Sequence, residues 1–176
     1  HYDTAIFCAN TYHKQTKIIP TGNKLYSMRK RNDIPFYFIK TPSYKKNGMK
    51  RILNMLIFYR NLKRVTKKEI KLGNRPDVIL ASSVHPLTLK VGIYLNKKYQ
   101  IPNISEVRDL WPEAIFFYTR LKQNSWIGKA LMGFEKKLYE NSDQLIFTKE
   151  GDIDYLIENQ WDTNHGGPIS LSKCHY

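Results

Sequence analysis

The eight residues Glu106-Val-Arg-Asp-Leu-Trp-Pro-Glu113 interleave three carboxylates and a guanidinium with a large aromatic and a proline. They follow an apolar run that reads as a strand, so the charges fall where that strand runs out into solvent. Carboxylates clustered at a strand's carboxyl end are what sugar hydroxyls, or a general base, require. The same residues also admit a plain structural reading, in which Arg108 and Asp109 pair across the turn and Trp111 anchors the core. A second stretch, Ser82-Ser-Val-His-Pro86, lies just ahead of a helix. Hydroxyls and free backbone N–H groups at a helix start suit an anion or a sugar hydroxyl, with Ser83 and His85 as the contacts. There the plain alternative is Ser83 as helix cap and His85 as a solvated loop residue.

A third feature is electrostatic. From Lys45 to Lys71 there are ten Lys and Arg opposed only by Glu69, a net +9 out of +14 for the 176-residue chain. Within it, Ile52, Met55, Leu56, Tyr59 and Leu62 recur at i, i+3, i+4 and i+7, so this stripe is expected to pack on a sheet. Met49, Leu53, Ile57 and Phe58 widen the apolar arc beyond what one-sided packing demands. Apolar breadth flanked by Lys50, Arg51, Arg60, Lys63, Arg64 and Lys67 is the pattern of a helix resting on an anionic bilayer, where each basic residue is worth about 1 kcal/mol. A solvated charged face is the ordinary reading of such a run.

The elements that position these residues alternate along the chain. Apolar runs at 4–9, 35–39, 77–82, 103–107 and 144–148 read as strands covered on both faces, because they are continuously apolar. Segments of helical period lie at 49–70, 87–99, 127–139 and 151–159. Strands alternating with helices imply crossover units and a parallel sheet, a Rossmann-like doubly wound α/β fold. Residues 1–160 are expected to form one domain and 161–176 an exit linker. At 41% hydrophobic and 13% aromatic the chain is too apolar for a disordered polyelectrolyte. The longest apolar run, Met55 to Tyr59, falls far short of the roughly 20 residues that span a bilayer. No glycine-rich phosphate loop, nucleophile elbow or metal-ligand spacing is present. The two cysteines are too few for a disulfide scaffold, and a reducing cytoplasm is the default.

The stretches Pro76–Thr88, Ile104–Glu113, Phe134–Tyr139 and Asp143–Gly151 resemble, in that order, the N-terminal domain of family 4 glycosyltransferases. The likeness is nearest to bacterial fucosamine transferases that build capsule and O-antigen repeats. It implies one half of a GT-B fold, lacking its first strand-helix unit, with the family's glycine-rich loop before His1 and a donor-binding domain after Tyr176. It implies sugar transfer with retention, no metal and no cofactor, from a nucleotide-sugar donor to a polyprenyl-diphosphate-linked saccharide. The expected place is the inner face of the bacterial membrane, cytoplasmic and peripheral. Arg108 stands where many relatives have a histidine, and a guanidinium does not act as a base. Asp109 is the expected catalytic residue, with Glu106, Arg108, Glu113, Ser83 and His85 binding substrate. The alternative is a non-catalytic basic module for nucleic acid or anionic membrane. Nucleic acid is not the expected partner, since no binding motif for it appears.

Overall fold

A computed structural model describes residues 2–11, 18–44, 49–83, 85–112, 122–149, 151–161 and 170–171. The chain divides into two compact units, His1–Arg75 and Pro76–Tyr176.

The first unit holds β1 (Ile6–Ala9), β2 (Tyr26–Arg31), β3 (Ile34–Ile39) and α1 (Met49–Lys71), with sheet order β1-β3-β2. β1 runs parallel to β3 and β2 antiparallel to it. β2 is absent from the sequence reading because it lacks an apolar run. It is an edge strand carrying exposed Arg29, Lys30 and Arg31, charges that discourage further pairing. Its hairpin with β3 turns on Asn32 and Asp33, whose φ values of 49° and 63° make the two-residue mirror-image turn whose twist suits a hairpin. Phe7 and Tyr37 stack across β1 and β3 at 4.5 Å.

The α1 helix stops where its backbone chemistry dictates. Gly73 takes φ +95°, its N–H reaching the Ile70 carbonyl at 3.2 Å, while Asn74 N–H reaches that of Glu69 at 3.0 Å. This pair of bonds is the Schellman cap, which glycine adopts without Cβ strain. The buried face of α1 is not the expected stripe. Met55 and Leu62 are inside, but Ile52 and Leu56 are exposed, and the buried set is Asn54, Met55, Phe58, Asn61, Leu62, Val65 and Glu69. Polar members of that face are held by specific bonds. Asn54 donates to the Pro42 carbonyl at 2.6 Å and Asn61 to that of Lys40 at 2.8 Å. Glu69 accepts from the hydroxyls of Tyr26 and Tyr37 and from Asn74.

The second unit is a parallel sheet of order β4-β5-β6-β7: β4 (Ile79–Ser83), β5 (Asn103–Val107), β6 (Gln144–Phe147) and β7 (Ser170–Leu171). The short β7 falls inside the stretch the sequence assigns to a linker. The connections carry α2 (Pro86–Tyr99), α3 (Trp126–Glu140) and α4 (Gly151–Glu158). These elements are the ones the apolar periodicity predicts, with ends shifted by a residue or two. All three helices feed one core, in which Leu89, Ile93, Leu138, Tyr139, Tyr155 and Leu156 meet Ala81, Val107, Leu145 and Phe147 from the strands. At strand period two, those strand residues share one face, and Leu80, Ser82, Ile104 and Glu106 take the other. On α3 the inward row is Gly128, Glu135, Leu138 and Tyr139, whereas Ile127, expected on the packed stripe, is exposed.

α2 lies against β4 and β5 because Gly92 permits it. A Cβ there would collide with the Asn103 Oδ1 and stand 2.9 Å from the Ala81 Cβ. Both neighbours are buried, so neither has room to retreat. Gly92→Ala is expected to lower stability by about 1–3 kcal/mol, the usual cost of overfilling a packed core, read as a lower urea midpoint with an unchanged slope.

Candidate functional site

In an open parallel sheet the strand carboxyl ends face the loops, and ligands sit outside them. In the second unit that edge is formed by the exits of β4, β5 and β6, and it gathers Ser83, His85, Glu106, Arg108 and Asp109.

Ser83 is the last residue of β4 and is buried; its Oγ accepts a hydrogen bond from the Arg108 N–H at 3.2 Å. It is therefore not the cap of α2. His85 holds the cap position with extended backbone and no side-chain cap bond, and Pro86 opens the helix, where its missing N–H costs nothing. On β5, Glu106 pairs in register with Ser82, whose hydroxyl donates to the Glu106 carboxylate. Glu106 is thus engaged on the sheet face away from the helical core. Arg108 and Asp109 lie beyond the strand end and are exposed. Asp109 Oδ1 stands 3.2 Å from Lys149 Nζ, which follows β6. With side chains 60% and 61% exposed, that pair contributes little and leaves the carboxylate open to solvent. Glu113, expected to bind substrate, lies outside the described residues.

Three residues at this edge went unassigned in the sequence. Glu135 of α3 is buried, yet its oxygens accept from Trp111 N–H at 3.3 Å, Tyr139 hydroxyl at 2.6 Å and Tyr155 hydroxyl at 2.9 Å. Desolvation, then the nearby Glu135 charge, pushes the Tyr139 phenol far upward, so it stays protonated and remains a donor. The sequence signal was a carboxylate four residues from both Leu131 and Tyr139, on the inward row of an amphipathic helix. Lys149 carries no signal beyond its place after a strand. Asp152, at the start of α4, is buried, and its Oδ2 has no hydrogen-bond partner among the described residues. Its pKa is raised, first by desolvation and further by Asp109, with Lys149 acting against both.

Ser83, Asp109, Trp111, Glu135 and Tyr139 line a small cavity of about 10 Å³. That is space for roughly one water, so a ligand larger than water sits outside it, over the exposed Asp109 and Arg108. Among the described residues no three His, Cys, Asp or Glu side chains converge as metal ligands.

Neither a scan of protein families nor a search of curated proteins finds a match for the chain. Among solved structures, sucrose-phosphate synthase from Thermosynechococcus elongatus is similar, with TM-score 0.62 and 15% identity. The likeness covers 99% of this chain but 38% of that one, so the chain spans well under half of the synthase's length. It shows the fold: a Rossmann-like α/β arrangement of the kind that makes one half of a GT-B protein, as the sequence led us to expect.

The buried carboxyl of Asp152 sets a pH dependence. A carboxyl whose pKa is higher folded than unfolded weakens the fold once ionised. The penalty is absent below the ordinary carboxylate range, grows as pH rises through the interval up to the raised folded value, and is complete above it. Asp152→Asn is therefore expected to raise the unfolding midpoint at neutral pH and to leave it unchanged near about pH 3. Thermal melts at the two pH values check this; an equal shift at both would show that ionisation is not the cause.

Proposed function

We propose that this chain is the acceptor-side part of a glycosyltransferase. The enzyme would move a sugar from a nucleotide donor, with retention and without a bound metal, onto a lipid-linked saccharide in capsule or O-antigen biosynthesis. The observation that carries the reading is Asp109: an exposed carboxylate at the carboxyl end of a central parallel strand. It is flanked by the β4 exit with Ser83 and His85, and by Lys149 after β6. The likeness of fold to part of a synthase that makes sucrose phosphate supports the same class. In this reading Asp109 accepts a hydrogen bond from the acceptor hydroxyl and holds its oxygen toward the donor's anomeric carbon. Transfer forms that carbon–oxygen bond, breaks the bond to the nucleotide's phosphate oxygen, and passes the hydroxyl proton to the departing phosphate. Arg108, exposed beside Asp109, is placed for a phosphate of the acceptor. Glu106 contributes from the adjoining face through Ser82.

The first unit would bring the domain to its lipid-linked acceptor at the cytoplasmic face of the membrane. Its residues 1–75 carry 18 Lys and Arg against three Asp and Glu, a net +15, while 76–176 net −1. On α1, Met49, Ile52, Leu53 and Leu56 are 79%, 47%, 50% and 51% exposed. They share the row, opposite the buried face, that continues into Arg60, Lys63, Arg64 and Lys67. Lys50, Arg60 and Arg64 are exposed, and Arg51, Lys63 and Lys67 half-buried. Apolar turns leading into basic turns on one outward face suit insertion beneath anionic headgroups. Among the described residues no helix is long and apolar enough to cross a membrane.

Binding of a short-chain prenyl-diphosphate-linked saccharide to the chain tests the first claim. Asp109→Asn is expected to weaken it about tenfold to a hundredfold, the worth of one hydrogen bond to a charged group, with an unchanged melting temperature. Equal affinity would show that another group holds the acceptor. For docking, co-sedimentation with vesicles is expected to fall about tenfold in Leu53→Ser/Leu56→Ser, the loss of roughly two buried leucines at a partly inserted depth. Binding indifferent to anionic lipid content and to salt would exclude docking.

A further inference from the structure

The first unit contains a groove of about 880 Å³ between the 20–28 segment and the last turns of α1. Its walls include Lys24, Tyr26 and Ser27 on one side and Arg64, Val65 and Lys68 on the other. Among the described residues no acidic side chain lines it, and none of its three cations is ion-paired. Three cations without an ion-pair partner around one concavity favour an anion that enters it.

The walls are held in place before any ligand arrives. Lys68 Nζ sits 5.9 Å from the Tyr26 ring centroid, and the Tyr26 hydroxyl donates to the buried Glu69 at 2.9 Å. Lys40 Nζ donates to the Gly22 carbonyl at 2.9 Å, fixing the turn that carries Lys24. Burial of Val65 fixes the rotation of α1, so Arg64 and Lys68, one turn apart, face the same opening. Arg64 also belongs to the outward basic row of the helix, so the groove opens onto the flank of the surface that meets the bilayer in the docking reading.

We propose that this groove is a headgroup site for an anionic lipid bearing a phosphate monoester. A phosphomonoester carries close to two charges and three acceptor oxygens near neutral pH, matching two ammonium groups and one forked guanidinium. The lipid is the committed source because the groove and the exposed apolar turns 49–56 lie on one helix, so a headgroup in the groove and the inserted turns meet the same leaflet. This rests on the docking reading but asks more of it: recognition of a headgroup rather than attraction to charge.

The test uses the whole chain with vesicles of phosphatidylcholine plus phosphatidic acid, or plus phosphatidylglycerol, matched in surface potential. Wild type is expected to prefer phosphatidic acid about tenfold. Lys24→Gln/Lys68→Gln should abolish the preference, whereas Arg60→Gln/Lys67→Gln, removing equal charge from the outward face, should weaken both vesicles alike and keep it. Arg64→Lys, which retains charge but loses the fork, should cut the preference at least threefold. Strong binding to both vesicles with no preference overturns the groove and leaves docking intact; binding to neither overturns docking. Inorganic phosphate alone titrating wild type at low millimolar concentration, with no vesicle preference, overturns the lipid as source.

Discussion

The second unit depends on how Glu135 is satisfied. A carboxylate removed from water costs several kcal/mol unless hydrogen bonds replace the lost hydration. Here the replacements come from three places in the chain: the backbone of Trp111 beyond β5, Tyr139 one turn along α3, and Tyr155 in α4. Meeting one buried carboxylate's demand therefore ties the exit loop of the central strand to two helices. Asp109 sits two residues before Trp111, so the same bonds set where that loop leaves the sheet. Trp161 packs edge-on against both tyrosine rings, at 5.9 and 5.3 Å.

The first unit solves the same problem with the opposite outcome for its surface. α1 spends part of its inward row on Asn54, Asn61 and Glu69, each holding carbonyls or hydroxyls of the strands and their loops. Every inward position given to a polar anchor leaves fewer for apolar side chains. The helix nevertheless carries enough apolar residues that Met49, Ile52, Leu53 and Leu56 remain outside. A soluble monomer gains nothing from such a row, which in water costs solvation and invites association. Its continuation into arginine and lysine on the same face gives it a consistent use at a charged interface.

These two units also show what apolar periodicity reveals and what it hides. β5 was legible to the residue, since Asn103 to Val107 is bounded by Pro102 and by the charges of Arg108 and Asp109. α1 was legible as a helix but not in its rotation, because the pattern counts apolar residues and the packed face is partly polar. β2 was invisible: Tyr-Ser-Met-Arg-Lys-Arg is an edge strand whose partner supplies the apolar surface. The same limit applied at the site. Asp109 and Arg108 announced themselves by falling at a strand end, while Glu135 and Asp152 are carboxylates inside helices, meaningful only once burial is known. The grouping of Glu106 with Asp109 by nearness in sequence was loosened by strand geometry, which gives Glu106 to one sheet face and carries Asp109 past the end.

Among the described residues, Glu106, Asp152 and Asp109 stand in three different environments at one sheet edge, and environment assigns work among chemically equal groups. Glu106 already holds the Ser82 hydroxyl. Asp152 is buried with its own Oδ2 unpartnered among the described residues, and desolvation favours its neutral form. Only Asp109 combines exposure, a strand-end position and a loosely held cation, Lys149, whose departure would cost little. A group that must release one partner and take a hydroxyl from an incoming ligand needs that looseness. Asp109 needs equally a fixed origin, which Ser83 at the Arg108 N–H and Glu135 at the Trp111 N–H supply on either side of it. The loop is thus pinned at both flanks and exposed at its tip, where the acid is held by the solvent-exposed Lys149 pair.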